Sequence, residues 1–470
     1  MTLPFYRPLY KKFLIFLIVI IFSYLLSRLL SKISNSTKGG LQISDVNDQP
    51  INSITEGFYP FTSADPAEAE FESLKASVEK YSSPAMSIHS VGKKHDYIPI
   101  GQFFTLASYN SAVTGNYVYA DMVKFIMSRG CRYIDLEIFL IKNQAQVAYT
   151  TDNTYDTIDT NNYVPLMNIF NIIAANAFSK SPNSNDPLFI NLRIKSKKGV
   201  VNPHHQPLYA KVAALLDSVF VKSGLLYSGK LNYSIPISKL KGKIIIINDR
   251  TINPNYEFDS LSPSQQAAIL AKNKVSNSDD LAPGYINPYT HPRQDLEFKL
   301  FGLNSAAASA KAAAAKKAAE AEAEKAAAAA KNTGDTDYDD PTRPYYNITN
   351  YINVDSGSYN LYQHEYSEML AVKPLEINPS ENICVGCDNI RQLRVIVPDR
   401  NNLYTTSENK PFDQLLSNWG CQFVPFMYYA KNFDELNSYE SFFNDHRTAF
   451  VFRSAAIQKI KDSTYPTSVI

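Results

Sequence analysis

Apolar and polar positions divide this chain into regions of different period. Phe13 to Leu26 reads FLIFLIVIIFSYLL, and Leu29 and Leu30 extend the run past Ser27 and Arg28. As a helix, residues 13–30 span about 27 Å at 1.5 Å per residue, close to the hydrocarbon thickness of a bilayer once Arg28 snorkels. The following SRLLSKISNSTKGG has no clear small-x-small cleavage site, so the pattern predicts an uncleaved membrane anchor rather than a signal peptide. Residues 35–65, rich in Ser, Asn, Asp and Gly, read as a tether. From about Tyr97, short apolar runs alternate with helical stretches. Strands are expected at 103–107, 132–138, 145–149, 188–194 and 243–247, with helices over Tyr117–Ser128 and over LYAKVAALLDSVFVKSG. Gly130 sits where the first helix would end. In RYIDLEI the period of two puts Tyr133, Asp135 and Glu137 on one face. Strands alternating with helices predict a parallel sheet, open or closed into a barrel.

That alternation is interrupted. Residues 305–331 are almost entirely Ala, Lys and Glu, strong helix formers with no apolar stripe to bury, and they predict a solvated spacer helix of about 40 Å. The acidic stretch Asp335–Asp340 continues the linker. Structured patterning returns near Tyr345, with strands expected at 393–397, 423–428 and 449–452. The chain therefore divides into an anchor (1–34), a tether and lead-in (35–96), a first half-barrel (97–255), a linker (256–344) and a second half-barrel (345–470).

Composition narrows the function. With 46 Lys and Arg against 45 Asp and Glu, the formal charge of +1 gives no basic face for nucleic acid. Four cysteines in 470 residues are too few for a disulfide scaffold. Cys384 and Cys387 form a lone C-x-x-C without the second ligand pair that zinc needs, which leaves a structural or incidental role or a local disulfide. Arg7, Lys11 and Lys12 balance Arg28, Lys32 and Lys38 across the apolar run, so charge does not set its orientation. Sequons at Asn35, Asn232 and Asn347 would suit a luminal body, though such triplets are common in an Asn-rich chain. His204 and His205 read as loop residues ahead of a helix.

Several segments, in order, resemble the split catalytic barrel of phosphoinositide-specific phospholipase C. Ser108-Tyr109-Asn110-Ser111-Ala112 is similar to the family's S-H-N-T-Y. Gly130-Cys131-Arg132-Tyr133-Ile134-Asp135-Leu136-Glu137 resembles G-C-R-x-x-E-L-D, and Val147-Ala148-Tyr149-Thr150-Thr151-Asp152 resembles V-Y-H-G-H-T. Asn191-Leu192-Arg193-Ile194 matches the strand with S-L-E-N, and Leu240-Lys241-Gly242-Lys243-Ile244-Ile245 matches L-K-G-K-I-L. Beyond the Ala-rich tract, Leu393–Pro398 is similar to L-S-R-I-Y-P. Asn418–Val424 is similar to W-N-x-G-C-Q-x-V, and Phe450–Arg453 to Y-V-L-K. The resemblance implies a TIM-barrel-like (β/α)8 phosphodiesterase, its X and Y halves separated by the linker, with a phosphoinositide or another phosphodiester as ligand at the bilayer.

It also implies that the reaction is lost. The family's chemistry needs groups that exchange protons near neutrality and a hard cation held by oxygens. The two catalytic His positions are Tyr109 and Thr150, neither of which substitutes for imidazole. Asn110, Asp135 and Glu137 retain part of a calcium-like ligand set. The fourth ligand position is Arg193, whose guanidinium would repel calcium and pair with Asp135 or Glu137. No cofactor is therefore expected, and calcium is disfavoured. Bacterial relatives use an Arg near the phosphate instead of a metal, which makes Arg193 a candidate phosphate ligand. Arg394, beside Val395 at the family's substrate-binding Arg position, is a second candidate. Asp152, two residues after Thr150, is the one alternative base. The resemblance thus implies a membrane-held binding or scaffold module, with an active phosphodiesterase of rearranged groups as the alternative.

Overall fold

The computed structural model describes residues 41–42, 65–81, 86–196, 206–254, 256–261, 346–371, 376–378, 383–385, 392–399 and 408–456. The apolar run 13–30, the tract 305–331, His204, His205 and Cys387 lie outside these residues. Among the described residues no helix is long and apolar enough to cross a membrane.

The body is mixed α/β around a central parallel sheet. The strands are β1 (Phe103–Thr105), β2 (Tyr133–Ile141), β3 (Gln144–Val147), β4 (Leu188–Ile194), β5 (Ile244–Asp249), β6 (Val354–Ser356), β7 (Leu361–Glu365), β8 (Leu393–Val397) and β9 (Phe450–Phe452). Parallel ladders join β2 to β4, β4 to β5, β5 to β6 and β7 to β8, and β7 lies beside β6. Parallel bridges then link Val395 to Phe423, Phe423 to Thr105, Phe426 to Ser108 and Ala107 to Tyr133. The sheet thus curls until segment 423–426 meets β1. β9 runs antiparallel to β1. The unbroken run Ile244–Ile247 is fully buried, as expected of a parallel strand covered on both faces.

Helices α1 (Pro66–Tyr81), α2 (Ala120–Ser128), α3 (Leu166–Asn176), α4 (Gln206–Leu216), α5 (Tyr366–Ala371), α6 (Phe412–Trp419) and α7 (Phe433–His446) complete the body. After α2 the chain reverses at Gly130, at φ +89°, where a Cβ would sit 2.9 Å from Ile88 Cδ1; glycine is required on both counts. α1 begins with Asp65 accepting from the Ala67 N–H at 3.0 Å and Pro66 in the first turn. It buries Ala67, Phe71 and Val78, and the Phe71 ring packs tilted on Tyr119 and edge-on to Phe125. Glu70 accepts from Thr114 Oγ1 (2.9 Å), Asn116 N (2.7 Å) and Asn116 Nδ2 (2.8 Å). These bonds fix the start of α1 beside the loop that follows β1.

Segment 423–426 makes isolated bridges rather than a regular ladder, and α7 secures it. The Tyr439 ring stacks on Phe426 at 3.9 Å. Its hydroxyl accepts from the Ala107 N–H and donates to Val424 O, both at 2.9 Å. One phenol therefore supplies main-chain bonds that the short ladder lacks. Next to α7, Arg129 and Glu440 form a buried two-pronged ion pair, and Tyr428 Oη donates to Glu440 Oε1 at 3.0 Å.

Inside the sheet an apolar layer fills the end where the strands begin. Tyr133 and Phe189 each lie 5.1 Å from Phe423 between ring centroids. Near that end Asp186 accepts from the Val91 N–H at 2.8 Å. Burial lifts its carboxyl to about 6, against the pull of that N–H, Arg132 and Lys241. A raised folded value means that protonation stabilises. This contribution is complete below the unfolded value of about 3.9 and is lost as pH rises through about 6. Asp186→Asn keeps the Oδ1 acceptor and is expected to gain about 3 kcal/mol on wild type between about pH 4 and pH 7. Chemical denaturation across that range reads the gain, and a pH-independent difference between the two proteins would overturn it.

Candidate functional site

The parallel register of β2 and β4 sets Asp135 opposite Asn191 and Glu137 opposite Arg193. Alternate residues of neighbouring strands share a face, so two carboxylates and one guanidinium project together. All three side chains are buried, at 0–1% exposure, so no water shell solvates the charges. An unpaired ion here would cost several kcal/mol.

Arg193 compensates them with every donor it has. Nε reaches both Asp135 oxygens at 3.1 Å and Nη2 reaches Asp135 Oδ2 at 2.6 Å. Nη2 also donates to Asn110 Oδ1, while Nη1 donates to Glu137 Oε1 at 2.5 Å and to Tyr109 Oη at 2.7 Å. The guanidinium carbon lies 4.2 Å from the Tyr109 ring centroid. A guanidinium has five N–H groups, and these contacts occupy all of them. Burial alone would lower the Arg193 pKa; the charges of Asp135 and Glu137 reverse that and raise it well above its ordinary value. The residue is a permanent cation.

The loop after β1 closes over this pair. Asn110 sits at φ +45°, a left-handed conformation that Asn tolerates, and its N–H donates to Asp135 Oδ2 at 3.0 Å. Ser111 exchanges bonds with the Asp135 main chain, at 2.8 Å to its carbonyl and 3.0 Å from its N–H. Asn191 Nδ2 donates to Asp135 Oδ1 at 2.7 Å. Burial lifts the Asp135 carboxyl above its usual range, with Arg193 and these donors pulling it back.

Thr150 arrives from the far side. The β2–β3 hairpin turns through Lys142 and Asn143, both at positive φ, and brings residues 148–152 back over Glu137. The Thr150 N–H donates to Glu137 Oε2 at 3.0 Å. Its hydroxyl donates to Thr157 O at 2.7 Å and accepts from the Asp152 N–H at 2.9 Å. The six positions Tyr109, Asn110, Asp135, Glu137, Thr150 and Arg193 therefore converge into one closed, bonded plug.

Neither proton-transfer candidate suits the task. Burial pushes the Tyr109 phenol well above its ordinary value, so it stays protonated at neutral pH. Asp152 is bound to its own loop. Its carboxylate accepts from the N–H groups of Thr154, Asp156 and Thr157 at 2.9–3.1 Å. Partial burial would raise its pKa, but those donors lower it, which makes Asp152 a poor base. Arg394 does not join the cluster. It lies one residue into β8, where its charge acts on Cys421 and Arg453.

The same cluster contains residues that the sequence reading passed over. Lys195 Nζ lies 3.6 Å from Glu137 Oε1 and 4.6 Å from the Tyr155 ring centroid. It brings the buried charges to two of each sign. Period two from Arg193 predicts its placement. Tyr429 Oη accepts from Asn110 Nδ2 at 3.3 Å and comes from the second half of the chain. Its position carries no local motif.

The donor set does not fit calcium. Calcium takes six to eight oxygens, and the side-chain oxygens of Asn110, Asp135 and Glu137 face a guanidinium that is bonded to all three residues. Among the described residues no group of three or more His, Cys, Asp or Glu could hold a metal ion.

Arg193→Met leaves both carboxylates buried without their guanidinium and is expected to cost about 3–5 kcal/mol. Adding Asp135→Asn leaves Glu137 facing Lys195, one buried charge of each sign, and is expected to recover most of that loss. Chemical denaturation of the single and double variants measures both. A double variant as unstable as the sum of its single changes would sink the assignment.

No protein family model and no curated protein matches this chain. Solved structures do. PLC21 of L. pealei is 12% identical, with a TM-score of 0.46 over 90% of this chain and 49% of its own. PLC21 of S. officinalis is 13% identical, with a TM-score of 0.45 over 89% and 48%. A calcium-dependent phosphoinositol-specific phospholipase C from Pseudomonas sp. is 15% identical, with a TM-score of 0.25 over 34% and 60%. The chain spans about half the length of the two PLC21 structures it matches.

Proposed function

We propose that this chain is a membrane-anchored, phosphatidylinositol phospholipase C-like (β/α)8 barrel, split by the tract 305–331, which no longer cleaves phosphodiesters and serves as a binding or scaffold module. The observation that carries the reading is the saturated guanidinium of Arg193, set among Asn110, Asp135 and Glu137 where the resemblance places a calcium site. Hydrolysis of an inositol phosphodiester needs a group that accepts a proton near neutrality and charge that stabilises the phosphorane-like transition state. Tyr109 and Thr150 supply no such acceptor. Arg193 has no N–H left to offer a phosphate.

The anchor at 13–30 holds the barrel at the bilayer and raises its local concentration there. The ligand class that suits the resemblance is a phosphoinositide or a related phosphodiester. Its recognition would rest on groups other than Arg193.

Purified full chain in detergent, given phosphatidylinositol or its bisphosphate, is expected to release no inositol phosphate above a protein-free blank, with calcium or with a chelator. Tyr109→His together with Thr150→His is expected to leave that result unchanged, because Arg193 still fills the metal position. Turnover that disappears in Asp135→Asn or in Arg193→Ala would replace this reading with an active phosphodiesterase of rearranged groups.

A further inference from the structure

Two motifs are unused by the site, and both are presented in the same local geometry. In Asn232-Tyr233-Ser234 and Asn347-Ile348-Thr349 the middle residue is buried and anchors the turn. Asn232 and Ser234 are exposed, and Asn347 and Thr349 are half-buried. Each asparagine folds its carboxamide oxygen back on the chain. Asn232 Oδ1 accepts from the Ser234 N–H at 3.0 Å, and Asn347 Oδ1 accepts from the Thr349 N–H at 2.9 Å and from Thr349 Oγ1 at 2.8 Å. The oxygen of each is held within its own turn, and neither Nδ2 has a partner among the described residues.

The two turns also lie at one end of the molecule. Lys230 Nζ donates to Ile352 O at 2.7 Å, the Leu231 N–H to Asn353 O at 2.9 Å, and Asn353 Nδ2 to Tyr227 O and Gly229 O at 2.7 Å. The Gly101 N–H donates to Tyr233 O at 3.1 Å, just before β1. Both asparagines therefore sit where β1, β5 and β6 begin, while the Arg193 plug faces the ends of β2 and β4. α1, the first described helix after the tether, starts at the plug end, beside loop 114–116.

We propose that Asn232 and Asn347 are N-glycosylated, so that the barrel is a luminal or extracellular body carrying its sugars on the end remote from the start of α1. The co-reactant is a lipid-linked oligosaccharide, which a luminal transferase supplies. Asn Nδ2 forms a bond to the reducing-end C1 as the C1–O bond to the lipid pyrophosphate breaks. The pyrophosphate leaves with the electron pair, and the amide gives up one of its two protons. The inference rests on the reading of residues 13–30 as a segment that delivers the body across a membrane.

The full chain bearing Asn35→Gln, expressed in insect cells, is expected to migrate as a species that peptide-N-glycosidase shortens by two glycan steps. Asn232→Gln and Asn347→Gln should each remove one step, and the pair should remove both. Extraction of the membranes with alkaline carbonate keeps the two claims apart. A chain that stays with the membrane but shows no shift overturns the glycosylation and leaves the anchor standing. A carbonate-soluble chain with both sugars supports the glycosylation and overturns the anchor. A soluble, unshifted chain overturns both.

Discussion

Two carboxylates two residues apart on a buried strand create the constraint around which this molecule is arranged. Asp135 and Glu137 point into the sheet, where the medium is too apolar to hold them as separate ions. Arg193 meets both because the β2–β4 register places it opposite Glu137, with the side chain long enough to reach Asp135 as well. Coulomb attraction alone would not offset the desolvation of three charges. What makes the arrangement tenable is that every lone pair facing the guanidinium belongs to a positioned group, from Tyr109 and Asn110 on the β1 loop to the two carboxylates. A fourth charge, Lys195, balances the count.

The same arithmetic bears on what the cluster could bind. A calcium ion and a guanidinium compete for the same oxygens, and the guanidinium is covalently part of β4. It cannot leave the site, so a cation would have to displace a tethered ligand that already makes short, charge-assisted contacts with both carboxylates. A phosphate would face the converse problem, since the positive charge is neutralised on all sides. Tyr109 adds its ring to one face of the cation and remains a neutral phenol. Tyr109 and Thr150 thus contribute to holding the plug closed, Tyr109 through Arg193 and Thr150 through Glu137.

Much of this was legible in the residues, for identifiable reasons. β2, β4, β5 and β8 announce themselves by period-two or fully apolar runs, and the pairing of Arg193 with the carboxylates follows from charge in a buried setting. The helix α1 carried a readable signal as well, with Asp65 as cap, Pro66 in the first turn and Phe71 and Val78 on one stripe. Its polar composition hides it within the lead-in. The β2–β3 hairpin was less visible, since its turn uses Lys142 and Asn143 rather than the glycine that usually marks positive φ. The position of Arg394 could not be read at all. Alternation along β8 sends it to the face opposite Val395, and the resemblance located the neighbourhood without fixing the side. Tyr429 is a contact between distant parts of the chain, and only the fold brings it to Asn110.

The division of the chain into halves bears on where the plug's integrity resides. Residues on either side of 262–345 bond directly to one another. Ile247 and Asp249 pair with Val354 and Ser356. Asn353 Oδ1 accepts from the Ile246 N–H at 2.7 Å, Gln363 Nε2 donates to Asp249 Oδ2 at 3.0 Å, and Tyr256 Oη donates to Asp355 Oδ2 at 3.1 Å. Closure therefore depends on strand pairing and on these side-chain bonds. The charged plug itself is drawn from the loop after β1, from β2, from β4 and the residue after it, and from the residues after β3, all from before residue 197, whereas the second half contributes Tyr429 above it and Phe423 beneath. A site built within one half keeps its packing as long as the residue at each position satisfies the two buried carboxylates. Arg193 meets that condition, and a neutral residue of the same size at this position would not.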